Sequence, residues 1–379
     1  MTDQSLRILL IADYDDDPRL GSAKVTHKLR EELVEAGHRV DVLLAPALGS
    51  RPAGRQLRQL VAPILATRAV SREASAAYDV IDAASAEGLW LAARRRGSRP
   101  AVVSRSNGLE HLNYARMLGD ARAGLIRKPW HRRIWYPLSR LSQVSAAARR
   151  ADRLLVLNEA DRQYAVARGW KSADRVDVVP HGVSARFLCG EPADPGASPA
   201  MLFCGTWDLV KGIADLTRAC DLLAREGRMP PLTVLGPGVP AAVVLAAFSD
   251  RARPQVTVRE RVAESEVMAE YRSHGTLLFT STYEGFGLVA LEAMSQGLAV
   301  VATPVGCIPD IMRPDATGVV VPSRDPAALA AAIARLAASP EERRRLGRGA
   351  AAAVRHMTWR RTAERTVEVY RRALEDRAA

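Results

Sequence analysis

A glycine-bearing loop in the C-terminal half of the chain carries the residues best suited to chemistry. Glu284 stands directly before Gly285, Phe286 and Gly287, and Glu292 follows in the next helix. The glycines let a ligand approach the backbone without meeting side chains. The free N–H groups of the helix that begins near Gly287 favour an anion such as a diphosphate. The loop therefore predicts a site for a phosphorylated ligand, framed by two carboxylates.

Glu292 lies among small and apolar residues over positions 290–294. The helix there is expected to meet little solvent, and a buried carboxylate needs a partner. The two adjacent hydroxyls of a ribose can both donate to one carboxylate, as they do to acidic residues in dinucleotide sites. Alternatively, Glu292 bonds a neighbouring backbone group or an arginine while Glu284 is solvated. The local pattern is consistent with both interpretations.

A lysine stands near the start of a second helix. The segment from Met201 to Gly212 is typical of a strand, a loop and a helix start, with Lys211 near its end. A cation close to the positive end of a helix is unfavourable by itself. Lys211 therefore indicates an anion bound between the lysine and the helix.

The elements that position the Glu284 loop form one supersecondary unit. Thr276 to Thr280 and Leu298 to Ala302 are short uncharged segments, typical of parallel strands covered on both faces. With the helix between them they predict a right-handed βαβ unit. Ligands of such sheets bind beyond the carboxyl ends of the strands, where the loop over residues 281–287 lies.

Strand and helix patterns alternate along the rest of the chain. The strands predicted in the first half are Leu6 to Ala12, Val40 to Leu44, Tyr78 to Ala83, Ala101 to Ser104, Arg153 to Leu157 and Asp177 to Val179. Helical patterns cover residues 22–36, 53–77, 86–97, 127–150 and 159–168, and a second alternating series begins at Met201. This alternation predicts an α/β fold with doubly wound parallel sheets.

Domain boundaries are indicated by composition. Glu191 to Pro199 is rich in proline and glycine and has no hydrophobic periodicity, so it is typical of a linker. We expect a first Rossmann-like domain over residues 1–185, a linker over 186–199 and a second Rossmann-like domain over 200–357. A C-terminal helical segment covers residues 358–379.

The composition excludes several classes of protein. With 379 residues, 48% hydrophobic and 25% charged, the chain is typical of a soluble two-domain protein. Its cysteines, Cys189, Cys204, Cys220 and Cys307, are far apart and predict neither a zinc site nor a disulfide framework. The first apolar run is a strand rather than a signal peptide, and no run reaches the roughly 20 residues of a membrane span. A cytoplasmic protein is expected, either soluble or peripheral at the inner face of the membrane.

Positive charge is concentrated in the first half of the chain. Residues 1–190 hold 31 Lys and Arg against 20 Asp and Glu, whereas residues 191–379 hold 23 against 22. This asymmetry favours an anionic partner such as phospholipid headgroups or a lipid diphosphate. A general compositional preference for arginine explains it equally well. Nucleic acid is not expected, because no motif that reads it is present.

One basic segment, Ile126 to Arg140, contains Trp130, Trp135 and Tyr136. Cations mixed with amphipathic aromatic residues suit a membrane interface. The same pattern also suits an ordinary helix that packs its aromatic side chains inward and exposes its arginines. The sequence leaves the choice between the two open.

Three adjacent acids, Asp15, Asp16 and Asp17, follow the first strand. A divalent cation needs convergent oxygen ligands, whereas three adjacent side chains point in different directions. A solvated loop is expected there, and no metal site.

Taken together, the motifs resemble a known family. Glu284-Gly-Phe-Gly287, Glu292-Ala-Met-Ser-x-Gly297 and Val300-Val-Ala-Thr-x-Val-Gly306 resemble the donor site of the retaining family 4 glycosyltransferases. The resemblance covers nearly the whole chain. It implies the GT-B fold, in which two Rossmann-like domains face each other across a cleft and a closing helix returns to the first. It also implies that the first domain binds an acceptor and the second a nucleotide sugar, with no metal and no further cofactor.

The resemblance assigns roles to particular residues. Lys211, Thr206 and the amides of Gly287 and Leu288 would hold the departing diphosphate, and Glu284 with the amides of Gly285 and Phe286 would orient the sugar. Glu292 would hold the ribose. Gly205 and the loop at Val262, which meets the base, complete the donor residues.

On the acceptor side the resemblance points to Gly21, Asn107 and Glu110. Asn107 stands where the family has a histidine, and it can donate a hydrogen bond but cannot act as a base. Thr206 similarly replaces an arginine, and Gly21-Ser22 replaces a glycine pair. His111 is expected to be structural.

The activity implied is transfer of a hexosyl group to a hydroxyl of a saccharide or lipid-linked acceptor, in the synthesis of cell-surface polysaccharide or glycoconjugate. One alternative is another GT-B enzyme, such as a nucleotide-sugar epimerase or a phosphorylase. A second is a degenerate sugar-nucleotide-binding protein without turnover. The paired Glu284 and Glu292 favour the transferase.

Overall fold

The chain folds into two compact units. The structure is a computed structural model that describes residues 5–16, 21–48, 55–70, 77–93, 100–126, 130–189, 192–260 and 264–378. Unit 1 comprises Met1–Gly182 together with Trp359–Ala379, and unit 2 comprises Val183–Thr358. Within these described residues, each unit contains one parallel sheet of six strands.

The sheet of unit 1 has the strand order β2-β1-β3-β4-β5-β6. Its strands are β1 (Arg7–Ile11), β2 (Arg39–Leu43), β3 (Val80–Ala84), β4 (Ala101–Arg105), β5 (Arg153–Val156) and β6 (Val176–Val178). The central strands β3 and β4 are buried along their whole length, because helices cover both faces of a parallel sheet.

The helices of unit 1 alternate with its strands. They are α1 (Gly21–Glu35), α2 (Arg55–Ala69), α3 (Leu89–Ala93), α4 (Glu110–Arg122), α5 (Trp130–Tyr136), α6 (Ser142–Arg150) and α7 (Glu159–Ala167). A π-helical turn, Pro137–Leu141, joins α5 to α6. Of the predicted helix over 127–150, the described residues 130–150 are helical, with one irregular turn.

The sheet of unit 2 has the order β12-β11-β10-β7-β8-β9. Its strands are β7 (Met201–Cys204), β8 (Leu232–Leu235), β9 (Val256–Arg259), β10 (Thr276–Phe279), β11 (Ala299–Ala302) and β12 (Val319–Val320). The helices are α8 (Ile213–Arg225), α9 (Ala241–Leu245), α10 (Glu264–Ser273), α11 (Leu288–Ser295), α12 (Ile308–Ile311), α13 (Pro326–Ala338) and α14 (Pro340–Val354). The predicted unit of β10, α11 and β11 is confirmed, with the two strands parallel and in contact.

The C-terminal helix α15 (Trp359–Ala378) belongs to unit 1. Its residues Val369, Tyr370 and Ala373 are buried with those of β1, β3 and β4. The Tyr370 hydroxyl donates to Asp82 Oδ2 at 2.6 Å, and the same carboxylate accepts from Arg105. Burial and the neighbouring Asp82 carboxylate raise the pKa of Tyr370 well above its ordinary value. The hydrogen bonds among Tyr370, Asp82 and Arg105 thus hold the C-terminal helix on the sheet of unit 1.

The predicted α/β class with two doubly wound sheets is confirmed by the strand order of both units. Residues 192–199, which the composition assigns to a linker, belong to unit 2 and are bonded to its other segments. Ala193 N donates to Gln296 O at 3.0 Å, and Arg343 Nε donates to Pro195 O at 2.8 Å. Among the described residues, no helix has both the length and the apolar character needed to cross a bilayer.

Candidate functional site

A left-handed glycine opens the helix that carries Glu292. Gly287 has φ +104° and precedes α11 directly. A Cβ at this position would lie 2.8 Å from Phe279 Cζ, so only glycine fits the turn between β10 and α11. The following amides are therefore presented at the positive end of a helix, as an anion site requires.

Lys211 and Glu284, called here the lysine–glutamate site, form an ion pair. Lys211 Nζ bonds Glu284 Oε1, and Ser281 Oγ donates to the same oxygen at 2.9 Å. The two charged side chains are 25% and 15% exposed, so they are accessible but only partly solvated. The sequence placed Lys211 and Glu284 at separate helix starts, and the fold brings them together.

Close contact between two backbone segments creates this pair. Thr280 Oγ1 donates to Lys211 O at 2.7 Å, and Thr282 N donates to Val210 O at 2.7 Å. Gly212 has φ +72°, and a Cβ there would lie 1.8 Å from Thr280 O. The absence of that atom lets the segment after β7 approach the segment after β10.

Glu292 is 7% exposed, as its apolar neighbours predict. Tyr271 on α10 donates its hydroxyl to Glu292 Oε2 at 3.2 Å. Burial, the Cys204 thiol and the Glu292 carboxylate raise the pKa of Tyr271 well above its ordinary value, so the tyrosine remains a donor at neutral pH. The sequence pattern did not single out Tyr271, because the contact joins two helices.

The other predicted donor residues lie around these groups. Gly205 follows β7 and has φ +140°. A Cβ added to Gly205 would lie 3.8 Å from Lys211 Cε, so the two residues are close together. Thr206 is exposed. The amide of Cys307 donates to Phe286 O at 2.7 Å, so the Gly285-Phe286 turn is tied to the loop after β11. Leu288 is the first residue of α11. Val262 lies outside the described residues.

In unit 1, Glu110 begins α4 and lies at the centre of a polar group. It accepts from Ser85 Oγ at 2.6 Å, Tyr136 OH at 2.9 Å and Arg140 Nη2 at 2.8 Å. Burial by itself raises the pKa of Glu110, but Arg140 and these hydrogen bonds outweigh it and leave the pKa lowered. Glu110 is therefore held as an ionised carboxylate.

Arg140 also contacts a second carboxylate, Glu87, whose Oε1 lies 3.4 Å from Arg140 Nη2. Glu87 is 2% exposed, and burial raises its pKa to about 7 although Arg140 opposes the shift. We call Glu87, Glu110 and Arg140 the buried acid cluster. The sequence pattern pointed to Glu110 alone, although Glu87 also follows the carboxyl end of a predicted strand.

Asn107 lies beside the buried acid cluster and meets the loop after β1. Its Nδ2 donates to the Tyr14 hydroxyl at 2.8 Å. Burial raises the pKa of Tyr14 to about 12, with Glu87 adding to the effect. Gly21, the third residue predicted on this side, is the first residue of α1. These residues follow β1 and β4, where ligands of α/β sheets bind.

His111 is a packed residue, as expected. Its Nε2 lies 3.0 Å from Ser145 Oγ, and its ring meets Trp170 edge-on with centroids 4.7 Å apart. Burial lowers its pKa to about 4. His111 is therefore neutral at physiological pH.

The acidic loop after β1 forms a contact with α1. Asp16 Oδ1 lies 2.8 Å from His27 Nε2, while Asp17 lies outside the described residues. Within the described ranges, no group of three His, Cys, Asp or Glu side chains is arranged to hold a metal ion.

Both halves of the chain match known protein families. The family described as "Glycosyltransferase Family 4" matches residues 20–187, and "Glycosyl transferases group 1" matches residues 191–353. A D-inositol 3-phosphate glycosyltransferase of Xylanimonas cellulosilytica is 31% identical over 383 residues, which cover 94% of this chain and 87% of the relative. The chain belongs to the group 1 glycosyltransferases of family 4.

Two further relatives in this glycosyltransferase family align over less of their length. A D-inositol 3-phosphate glycosyltransferase of Kineococcus radiotolerans is 31% identical, over 64% of this chain and 62% of the relative. The MMP alpha-(1->4)-mannosyltransferase of Mycolicibacterium hassiacum is 31% identical, over 67% of this chain and 61% of the relative. The chain thus spans somewhat under two thirds of these two proteins.

Solved structures share the fold of this glycosyltransferase. Sucrose-phosphate synthase of Thermosynechococcus elongatus has a TM-score of 0.78 at 22% identity, covering 97% of this chain and 98% of that one. HepE of Anabaena, in complex with UDP, has a TM-score of 0.69 at 17% identity, covering 96% and 99%. The GT-B type of fold expected from the motifs is therefore confirmed.

Proposed function

We propose that the protein transfers a hexosyl group from a nucleotide-diphosphate sugar to a hydroxyl group, with retention at the anomeric carbon and without a bound metal ion. The observation that carries the proposal is the lysine–glutamate site beside the amino end of α11, where Gly287 leaves the amides accessible. A cation and free amides suit a leaving diphosphate, and a carboxylate suits sugar hydroxyls.

The nucleotide is proposed to lie along unit 2. Glu292 is buried next to a tyrosine donor, and it can accept from the ribose hydroxyls while Tyr271 fixes its orientation. The structural neighbour HepE is described in complex with UDP, which supports a nucleoside-diphosphate donor for this chain as well. Gly205, Thr206 and Val262 are proposed to line the rest of the donor site.

In the proposed reaction the bond between the anomeric carbon and the diphosphate oxygen breaks first. Lys211 and the amides of Gly287 and Leu288 stabilise the charge on the leaving diphosphate. The acceptor hydroxyl then attacks the same face of the sugar, and its proton passes to the leaving phosphate. Glu284 and the amides of Gly285 and Phe286 orient the sugar hydroxyls. Asn107 holds a hydroxyl but takes no proton, since an amide is not a base.

The acceptor is proposed to bind to unit 1. Glu110 is held ionised, and Asn107 and Gly21 lie in the connections that follow β4 and β1. Such groups bind hydroxyls, which suits a saccharide or a lipid-linked saccharide. The names of the relatives, an inositol-phosphate glycosyltransferase and a mannosyltransferase, support a hydroxyl acceptor. We place the reaction in cell-surface polysaccharide or glycoconjugate synthesis, in the cytoplasm or at the inner face of the membrane.

The test is a thermal-shift and hydrolysis screen of the purified protein against UDP-, GDP- and ADP-sugars. A ligand at about a hundred times its dissociation constant should stabilise the folded protein by about 3 kcal/mol. We expect one nucleotide sugar to stabilise the wild type and to be hydrolysed slowly. Lys211→Ala and Glu292→Gln should lose this effect, whereas Lys171→Ala in unit 1 should keep it.

Two other outcomes have distinct meanings. Binding without turnover, even with added acceptors, would favour the degenerate sugar-nucleotide-binding protein, which the exposed Thr206 in place of the family arginine also favours. No stabilisation by any nucleotide sugar would overturn the assignment of the donor site.

A further inference from the structure

An exposed apolar ridge runs along the irregular helical segment of unit 1. Ile134, Trp135 and Leu138 are 56%, 62% and 71% exposed, the three highest values among the large hydrophobic side chains of the described residues. They lie on α5 and on the π-helical turn that follows it. Large apolar side chains that cluster at the surface mark an interaction site more often than single ones do.

The opposite side of the same segment packs against the interior of unit 1. Tyr136 donates to Glu110 and stacks on Tyr114 with ring centroids 5.5 Å apart. Arg140 is buried between Glu87 and Glu110. Because these contacts fix the rotation of the segment, the ridge is held outward. The inward interpretation of the aromatic residues therefore holds for Tyr136 and is wrong for Trp135.

The surroundings of the ridge are strongly basic in sequence. Residues 121–150 contain no Asp or Glu and eight cationic residues, which are Arg122, Arg127, Lys128, Arg132, Arg133, Arg140, Arg149 and Arg150. Arg133, Arg149 and Arg150 are exposed in the structure. The ridge is therefore flanked in sequence by cations, and residues 121–150 contain no acid.

We propose that Ile134, Trp135 and Leu138 dock unit 1 on the surface of an anionic lipid bilayer. Trp135 would lie at the headgroup level, the aliphatic side chains would enter the acyl boundary, and the arginines would meet lipid phosphates. The segment lies in the interface and does not span the membrane. Nucleic acid would use the cations and the tryptophan but would gain little from Ile134 and Leu138.

Docking at this surface also has a consequence for the acceptor. Tyr136 and Arg140, on the inner side of the segment, bind Glu110, which is an acceptor-side residue. The ridge therefore lies on one side of the segment formed by α5 and the π-helical turn, and the side chains that bind Glu110 lie on the other. That the acceptor is itself attached to a lipid rests on the proposed function, whereas the docking does not.

The experiment uses the full chain and sedimentation with vesicles of phosphatidylcholine, either pure or with about a third of phosphatidylglycerol. The wild type should bind the anionic vesicles, and added salt should weaken the binding. The double variant Trp135→Ser, Leu138→Ser should lose about ten-fold or more in affinity. Trp90→Ser is the matched control, because Trp90 is 47% exposed on α3 and lies outside the ridge.

Thermal melting and nucleotide-sugar binding of each variant separate docking from folding and from the donor site. Both should be unchanged, since the substituted side chains are exposed. Equal vesicle binding by the double variant and the wild type would overturn the proposal, as would no binding of the wild type to anionic vesicles. If the double substitution instead turned a dimer into a monomer without affecting lipid binding, the ridge would be an interface between two copies.

Discussion

The lysine–glutamate site of unit 2 and the buried acid cluster of unit 1 follow the ends of similar parallel strands but are built in different ways. In unit 2, two backbone segments approach each other closely because Gly212 has no Cβ, and Gly287 leaves room for the Phe279 ring. In unit 1, side chains from three segments, at Glu87, Glu110 and Arg140, form a largely buried group in which one guanidinium contacts two carboxylates.

This difference shows where each unit tolerates change. The geometry of unit 2 depends on the absence of side-chain atoms at fixed positions, so one added methyl group should disturb it strongly. The cluster of unit 1 depends on the balance between two carboxylates and one guanidinium, so it should respond to pH and to charge. The following substitutions test this contrast.

The largest effect is expected for Gly212→Ala. The new methyl group would lie 1.8 Å from Thr280 O, in a backbone with φ +72°. We expect a loss of about 4 kcal/mol or more in the free energy of unfolding, since the clash adds to the backbone strain. Denaturant unfolding of the purified variant measures this loss.

Gly227→Ala is the matched control for this substitution. Gly227 has φ +67° in the same unit, but a Cβ there meets nothing within 4 Å. Only the conformational strain remains, so a loss of about 1 to 2 kcal/mol is expected. Equal losses in the two variants would show that close backbone approach does not set the geometry of unit 2.

The next effect is a dependence of stability on pH that originates at Glu87. Its pKa is raised to about 7 in the folded protein from the ordinary value of 4.5. The folded state therefore binds more protons than the unfolded state between these pH values, and stability falls as pH rises through this window. Glu87→Gln should remove the dependence, and at pH 8 it should stabilise the protein by up to about 3 kcal/mol.

Glu110→Gln provides the opposite case. The pKa of Glu110 is lowered in the folded protein. The ionised carboxylate therefore stabilises the folded state at pH values above its ordinary pKa, and this stabilisation is lost as pH falls. This variant should be less stable than the wild type at pH 7. Chemical denaturation of both variants at pH 5 and pH 8 tests the pair, and a shift of the same sign in both would contradict the assigned charge states.

The smallest effect is expected from restoring a cation in unit 2. Thr206→Arg places a guanidinium at an exposed position of the loop after β7. An added charge-assisted hydrogen bond should tighten the binding of a nucleoside diphosphate by about ten-fold. Calorimetric titration measures the affinity, with Thr257→Arg on the exposed side of β9 as a control for net charge. No change would mean that Thr206 lies away from the diphosphate.

The sequence predicted the parts that depend on local pattern. The uncharged strands β10 and β11, the helix between them and the special role of Gly287 follow from neighbouring residues alone. Glu292 was expected to be buried because its own helix is apolar, and it is. The roles proposed for Lys211, Glu284 and Glu292 in catalysis and binding stay predictions.

The sequence by itself thus determined two doubly wound sheets and the residues at their strand ends, because periodicity and glycine placement act over a few positions. Only the tertiary structure decided which of these residues meet. It paired Lys211 with Glu284, placed the Tyr271 hydroxyl against Glu292 and exposed Trp135. These outcomes depend on contacts between residues far apart in the chain, which no local pattern encodes, and on the packing that fixes how each helix is rotated.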